Sequence, residues 1–114
     1  MNKYSIVFLE WAKEFLDNLD DKTRKKVIYN IWKSRDVNNP ELFKKLSGNI
    51  WEFRTKFLTK QVRLLAFWDK TKKKETLVIA THGFIKKTQK TPKSEIDKAE
   101  KIRNQYFKDR SVVF

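Results

Sequence analysis

Between residues 50 and 84 the apolar residues recur with a period of two, and this stretch limits the possible folds more than any other. Trp51, Phe53, Thr55 and Phe57 alternate with Ile50, Glu52, Arg54 and Lys56. A nearly continuous apolar run from Val62 to Trp68 follows, and then another from Leu77 to Phe84. Side chains of a strand point alternately to its two faces, so these segments read as three consecutive strands. The connector Asp69 to Lys74 is too short for a parallel crossover, which predicts antiparallel pairing in a meander.

The flanking segments carry other periods. Residues 3 to 8 alternate weakly, with Tyr4, Ile6 and Phe8 against Lys3, Ser5 and Val7, and predict a short opening strand. From Phe8 the apolar positions Trp11, Ala12, Phe15, Leu16 and Leu19 follow helical spacing and put one stripe toward a core. Asp20 and Asp21 offer an N-cap to a second helix through Val27, Ile28, Ile31 and Trp32. Lys22, Arg24, Lys25 and Lys26 crowd its first turns, the wrong end for the helix dipole, as a binding cluster or a plain solvated face. Asn38, Asn39 and Pro40 break the pattern. A short segment around Leu42, Phe43 and Leu46 then leads to a turn at Ser47, Gly48 and Asn49. Thr91 and Pro92 suit the N-cap and N1 of a last helix whose buried face is Ile96, Ala99, Ile102 and Tyr106. Phe107 and the tail Val112, Val113 and Phe114 are expected to cover an edge. The order β, α, α, β, β, β, α, without repeats or linkers, predicts one α+β domain over residues 1–114.

Charge narrows the partners. Lys plus Arg number 27 against 14 Asp plus Glu, a net charge of +13. That excess on so small a body suits a polyanion, nucleic acid first, or an acidic binding protein, although it also serves solubility. The absence of cysteine excludes disulfides, thiolate metal sites and a thiol nucleophile. With a single histidine no zinc centre is expected, nor any other cofactor. Glu10, Lys13 and Glu14 interrupt the apolar N-terminus, so neither a signal peptide nor a membrane span is expected and the location reads as cytoplasmic.

The period-two stretch also gathers chemistry. With a loop of about four residues between the strands at 50–57 and 62–68, pairing places Arg63 across from Lys56 or close to it. Arg54 and Glu52 share that face, and Lys60 lies in the loop. A carboxylate among three cations suits RNA phosphodiester cleavage, in which the ribose 2′-hydroxyl attacks the adjacent phosphorus and charge builds on the nonbridging oxygens. Arg54 and Arg63 are the candidates for stabilising that charge, since guanidinium offers planar paired donors and stays protonated. Lys56 is a candidate for proton transfer, and so is His82, the only histidine. The segment Lys86, Lys87, Thr88, Gln89, Lys90, Thr91 is basic, polar and leads into a helix N-terminus, which suits phosphate. Trp51, Phe53, Phe67 and Trp68 could stack on bases, but aromatics at alternating strand positions read as core.

Three runs carry a family resemblance: Trp51-Glu52-Phe53-Arg54, Val62-Arg63-Leu64-Leu65-Ala66-Phe67-Trp68, and His82-Gly83-Phe84-Ile85-Lys86-Lys87-Thr88-Gln89-Lys90-Thr91-Pro92. Over nearly its whole length the chain resembles the phage-derived, HigB-like branch of the RelE/ParE toxin superfamily. The resemblance implies a toxin of a type II toxin–antitoxin pair with a small RelE-like fold: N-terminal strand, two helices, antiparallel sheet and C-terminal helix. It implies neutralisation by a helix-turn-helix antitoxin and, as in many members, metal-independent endonucleolytic cleavage of mRNA in the ribosomal A site. Arg54 and Arg63 match basic positions of the superfamily's catalytic sheet. Lys86, Lys87 and Lys90 match the branch's own basic segment, with Gln89 beside them and Lys60 as further RNA contacts. Glu52 stands where RelE itself has a lysine, either as a base or as the group that holds Arg54, and Tyr106 reads as core rather than as RelE's C-terminal tyrosine. Two other functions stay open, a ParE-like inhibitor of DNA gyrase and a noncatalytic RNA-binding module.

Overall fold

The computed structural model describes residues 4–111. Its elements are β1 (Ser5–Phe8), α1 (Glu10–Asp17), α2 (Asp21–Lys33), β2 (Phe43–Ser47), β3 (Ile50–Phe57), β4 (Lys60–Asp69), β5 (Leu77–Ile85) and α3 (Lys93–Ser111). The five strands form one sheet in the order β1-β5-β4-β3-β2. The fold is α+β, but the sheet is mixed rather than antiparallel. β1 runs parallel to β5, from Ser5 opposite Leu77 to Phe8 opposite Ala80, because five elements separate the two strands and supply the long crossover that parallel pairing needs. The segment around Phe43 and Leu46 is itself a strand, β2, antiparallel to β3 with Phe43 opposite Phe53 and Lys44 opposite Glu52. The expected tail residues Val112, Val113 and Phe114, and Lys3 of the opening strand, lie outside the described residues.

Each face of the sheet has its own cover. Ala12 and Leu16 of α1 and Val27 and Ile31 of α2 pack on Phe53, Val62, Leu64, Ala66, Val78 and Ala80. Ala99 of α3, with Ile96, Tyr106 and Phe107, packs on Ile50, Leu65, Phe67, Leu77 and Ile79. This explains the apolar runs of β4 and β5, since a strand covered on both sides needs apolar residues at consecutive positions. Asp20 caps α2 as its spacing suggests, accepting from the Thr23 amide at 3.1 Å and its hydroxyl at 2.7 Å. Two aromatics placed in buried stripes are outside instead: Trp11 is 51% and Trp32 42% exposed.

Two local features set the position of α3. Pro92, not Thr91, opens this helix, its carbonyl accepting from the amides of Glu95 (3.0 Å) and Ile96 (3.3 Å). The β4–β5 ladder slips by one residue between Leu65 and Ala66, whose partners are His82 and Ala80, so Thr81 is the extra residue of a bulge. The Thr81 hydroxyl donates to the Leu65 carbonyl at 3.2 Å and lies 2.9 Å from His82 Nδ1. His82 Nε2 in turn meets Glu95 Oε1 of α3 at 3.0 Å.

His82 is 3% exposed, and burial pushes its pKa below the ordinary value of 6.5, against the opposing hydrogen bond from Glu95. A folded-state pKa below the unfolded one means that the unfolded chain takes up the proton first as pH falls. The contribution of His82 is therefore complete above the ordinary histidine value and is lost as pH falls from there toward the folded-state pKa. Urea unfolding is expected to show stability falling between neutral and mildly acidic pH, with a shallower decline in His82→Asn. At the next residue, a Cβ added to Gly83 would lie 2.2 Å from Phe15 Cδ2 and 2.7 Å from its Cγ, so the whole ring would have to move. Gly83→Ala is expected to cost about 1–3 kcal/mol by overpacking, measured by the same unfolding titration.

Candidate nucleic-acid interface

α3 covers the part of its sheet face built from Ile50, Leu65, Phe67, Leu77 and Ile79 and leaves the β3–β4 turn end to polar side chains. In β3 the alternation sends Glu52, Arg54 and Lys56 to this face, and their partners in β4 are Leu65, Arg63 and Gln61. Arg63 thus stands across from Arg54, not Lys56. The β3–β4 connection is the two residues Leu58 and Thr59, shorter than the four expected, and Leu58 takes a positive φ of 56° to close it. The shift is even, two residues, so every side chain stays on the face assigned to it.

Glu52 is the hub of this cluster. It is 2% exposed, and its Oε1 lies 3.5 Å from Nε of both Arg54 and Arg63, while Oε2 accepts the Thr91 hydroxyl. The carboxylate therefore ties β3, β4 and the segment entering α3 together. Arg63, 4% exposed, donates to Gln61 Oε1 at 2.9 Å and to the Val62 carbonyl at 3.2 Å. Burial pushes its pKa below the usual arginine value, Glu52 opposes this and Arg54 adds to it. Guanidinium still remains protonated at neutral pH. Arg54 is partly exposed and donates through one terminal nitrogen to the Pro40 carbonyl at 3.3 Å; its other terminal nitrogen has no acceptor among the described residues. Nε of each arginine, though near Glu52, makes no hydrogen bond among the described residues.

Arg54 is the shared wall of three adjoining clefts. The largest, about 850 Å³, runs past Lys60 and Gln61 to Lys86, Lys87, Thr88 and Gln89. A second, about 400 Å³, holds Glu41, Lys56, Gln61 and Arg63. A third, about 260 Å³, holds Lys44, Glu52, Lys86, Gln89, Lys90 and Thr91. Lys86 is fixed at both ends, its amide donating to the Gln61 carbonyl at 2.7 Å and its Nζ to the Gln89 carbonyl at 3.1 Å. Partial burial and then the charges of Arg63, Arg54 and Lys44 push its pKa below the ordinary lysine value, with Glu52 opposing. The cleft is therefore rich in positive charge, with lysines at the rim and guanidiniums on the floor.

The residues singled out in the sequence do not all converge here. Glu52, Arg54, Lys56 and Arg63 form the floor and one wall, and Lys86, Lys87, Gln89 and Lys90 the other. Lys60 lines the largest cleft while its Nζ pairs with Asp20 at 3.1 Å. His82 is buried between Thr81 and Glu95, where it joins β5 to α3. Phe53 and Phe67 are core residues, whereas Trp51 and Trp68 are only half-buried. Gln61 and Lys44 are additions, and so is the bond of Thr91 to Glu52: Gln61 is legible as the face-mate of Arg63 two positions away, but the other two depend on contacts distant in sequence. Among the described residues no three His, Cys, Asp or Glu side chains gather into a set that could hold a metal ion. No described helix is long and apolar enough to cross a membrane.

No curated protein matches the chain. Residues 14–104, spanning α1 to α3 and every side chain of the cleft, match the phage-derived Gp49-like protein family (DUF891). The chain belongs to this family, which is RelE-like and toxin-like in character.

Proposed function

We propose that the chain is the toxin of a type II toxin–antitoxin pair, of the HigB-like kind, and that it cuts mRNA on the ribosome by a metal-independent route. The observation that carries this reading is the pair of facing guanidiniums, Arg54 and Arg63, held by one buried carboxylate at the floor of a continuous basic cleft. In the proposed reaction the ribose 2′-oxygen attacks the neighbouring phosphorus and loses its proton, the bond from phosphorus to the 5′-oxygen breaks, and that oxygen gains a proton. The products are a 2′,3′-cyclic phosphate and a 5′-hydroxyl. Negative charge on the nonbridging oxygens peaks in the transition state, where preorganised cations are worth most. Arg63, locked by Gln61 and Val62, supplies fixed donors, and Arg54 supplies the free edge of its fork. Lys86, Lys87, Gln89 and Lys90 hold the strand on one side, and Lys56 and Lys60 on the other. Glu52 acts by positioning both arginines, since its two oxygens are already engaged. His82 acts through the placement of α3.

The partner that silences such a toxin is a helix-turn-helix antitoxin with acidic residues facing this cleft, which matches a net charge of +13. Both partners and the ribosome place the action in the cytoplasm.

The test is induction of the wild-type chain beside Arg63→Ala, with growth measured and primer extension on a reporter mRNA. The expected outcome is growth arrest with cuts inside translated codons, reduced about 100-fold or more in Arg63→Ala, the usual cost of removing one donor to a developing oxyanion. Arrest without cuts would overturn cleavage and move the target elsewhere, DNA gyrase included. A second expectation concerns Glu52. Glu52→Ala leaves the buried Arg63 guanidinium without its counter-charge beside the partly exposed Arg54 and is expected to cost about 3 kcal/mol or more in urea unfolding, with cleavage lost as well.

A further inference from the structure

The open end of the β3–β4 hairpin, remote from the Leu58 turn, carries a second cationic cleft that the cleavage chemistry does not use. Trp51 and Trp68 are diagonal neighbours there, their ring centroids 5.6 Å apart at an interplanar angle of 74°. On one side the two indoles wall a cleft of about 550 Å³ rimmed by Lys45, Lys70 and Arg103. On the other they wall one of about 410 Å³ with Tyr4, Phe43 and Arg35. Neither indole is fully buried, although both sit among core aromatics.

Three properties of the larger cleft bear on its ligand. Its lining holds three cations and no carboxylate, and the Glu100 carboxylate lies beside Gly48, where an added Cβ would come within 3.1 Å of Oε2. Lys45, Lys70 and Arg103 form no ion pair among the described residues, and Lys70 Nζ sits 5.3 Å from the Trp68 ring centroid, a cation held over an aromatic face. Trp68 Nε1 and Arg103 Nε are buried donors with no acceptor among the described residues. A buried donor without an acceptor costs free energy that an acceptor-bearing ligand recovers. Aromatic faces for a flat ring, cations for an anion and spare donors for its oxygens together match an unpaired nucleotide, the combination by which sequence-tolerant single-strand binding works.

We propose that this cleft is a second RNA site, in which an unpaired base packs against Trp51 and Trp68 while its phosphate meets Lys45, Lys70 and Arg103. Trp51 lies three positions, roughly 10 Å, from Arg54 along β3 and on the opposite face of the sheet, so the two clefts are separate sites. The site shares its ligand class with the proposed cleavage but does not depend on it, and binding alone measures it.

The experiment uses the full chain with Trp11→Phe and Trp32→Phe, so that only Trp51 and Trp68 emit; both replaced residues are exposed. Titration with a short unstructured oligoadenylate, read by tryptophan quenching and by anisotropy of a labelled copy, should show saturable quenching that survives Arg63→Ala. Trp51→Leu should weaken binding by about fivefold or more, the lower range for one stacked base. Lys70→Gln at the exposed rim and Arg103→Gln at a half-buried position over the Phe107 ring should each weaken binding and lower the salt slope by about 0.7 per lost phosphate contact, with urea unfolding checking that the Arg103 variant is folded. Quenching that is absent, or that disappears with Arg63→Ala and ignores Lys70→Gln and Arg103→Gln, overturns the site. So does quenching by a glutamate-rich peptide at lower concentration than RNA, which would assign the cleft to a protein partner. Persistent quenching in a chain that leaves ribosomal mRNA intact would sink the cleavage reading and keep this one.

Discussion

A carboxylate as buried as that of Glu52 survives in a folded protein only if surrounding groups replace its hydration. Here two guanidiniums and a hydroxyl do so, and each comes from a different element: Arg54 from β3 itself, Arg63 from β4 and Thr91 from the approach to α3. The exchange works both ways. Arg63 is itself nearly inaccessible, and a buried guanidinium without a counter-charge would be very costly. The cluster thus makes the strand register and the docking of α3 mutually dependent, because a slip in either would strand a charge. Polar networks of this kind stabilise little in net terms, yet they penalise every alternative arrangement, which is what a site with fixed geometry needs.

The remaining architecture follows from where that cluster sits. α3 covers one end of its sheet face with Ala99, Ile96 and Tyr106 and stops where Glu52 begins, so the same face is core at one end and cleft at the other. The boundary is set by the segment from Lys86 to Thr91, which leaves β5, passes beside Arg54 and enters the helix. Three ties hold it there: the Lys86 amide on the Gln61 carbonyl, the Thr91 hydroxyl on Glu52, and His82 on Glu95 just inside α3. A basic loop pinned at both ends presents its lysines at low entropic cost when a polyanion arrives.

Much of this was legible in the sequence wherever the determinant was local. The alternation in β3 alone assigned Glu52, Arg54 and Lys56 to one face, and the odd pairing sum brought Arg63 to it. The exact partner was not legible, because the β3–β4 turn has neither glycine nor asparagine to announce its length and relies instead on Leu58 at positive φ. β2 escaped because five residues with two adjacent lysines carry little strand signal until they meet β3. The parallel pairing of β1 is decided by the path of two helices and three further strands, information no local window contains. Thr91 reads as a helix cap and is instead a ligand of Glu52, since a hydroxyl goes to the nearest buried charge before it goes to a solvated helix end. Trp11 and Trp32 follow helical spacing faithfully, but spacing does not reveal how far the sheet extends beneath a helix.

The arginine pair carries an electrostatic consequence of its own. Two like charges facing across a ladder repel, and burial sharpens the repulsion, so the pair is stable only while a negative charge lies between or above it. Glu52 supplies one such charge from the protein side. On the open side Arg54 keeps a terminal nitrogen without an acceptor among the described residues, and Lys86 is held below its ordinary pKa by partial burial first and then by Arg63, Arg54 and Lys44. An anion entering the cleft would relieve all of these interactions at once, strengthening the hold of each cation on its proton. In the proposed cleavage a dianionic phosphorane-like transition state would relieve them more than a monoanionic phosphodiester does, because the cations are already gathered before either arrives. Under that proposal the repulsion among them in the free protein would be offset in proportion to the charge that develops, which is the condition under which binding becomes catalysis.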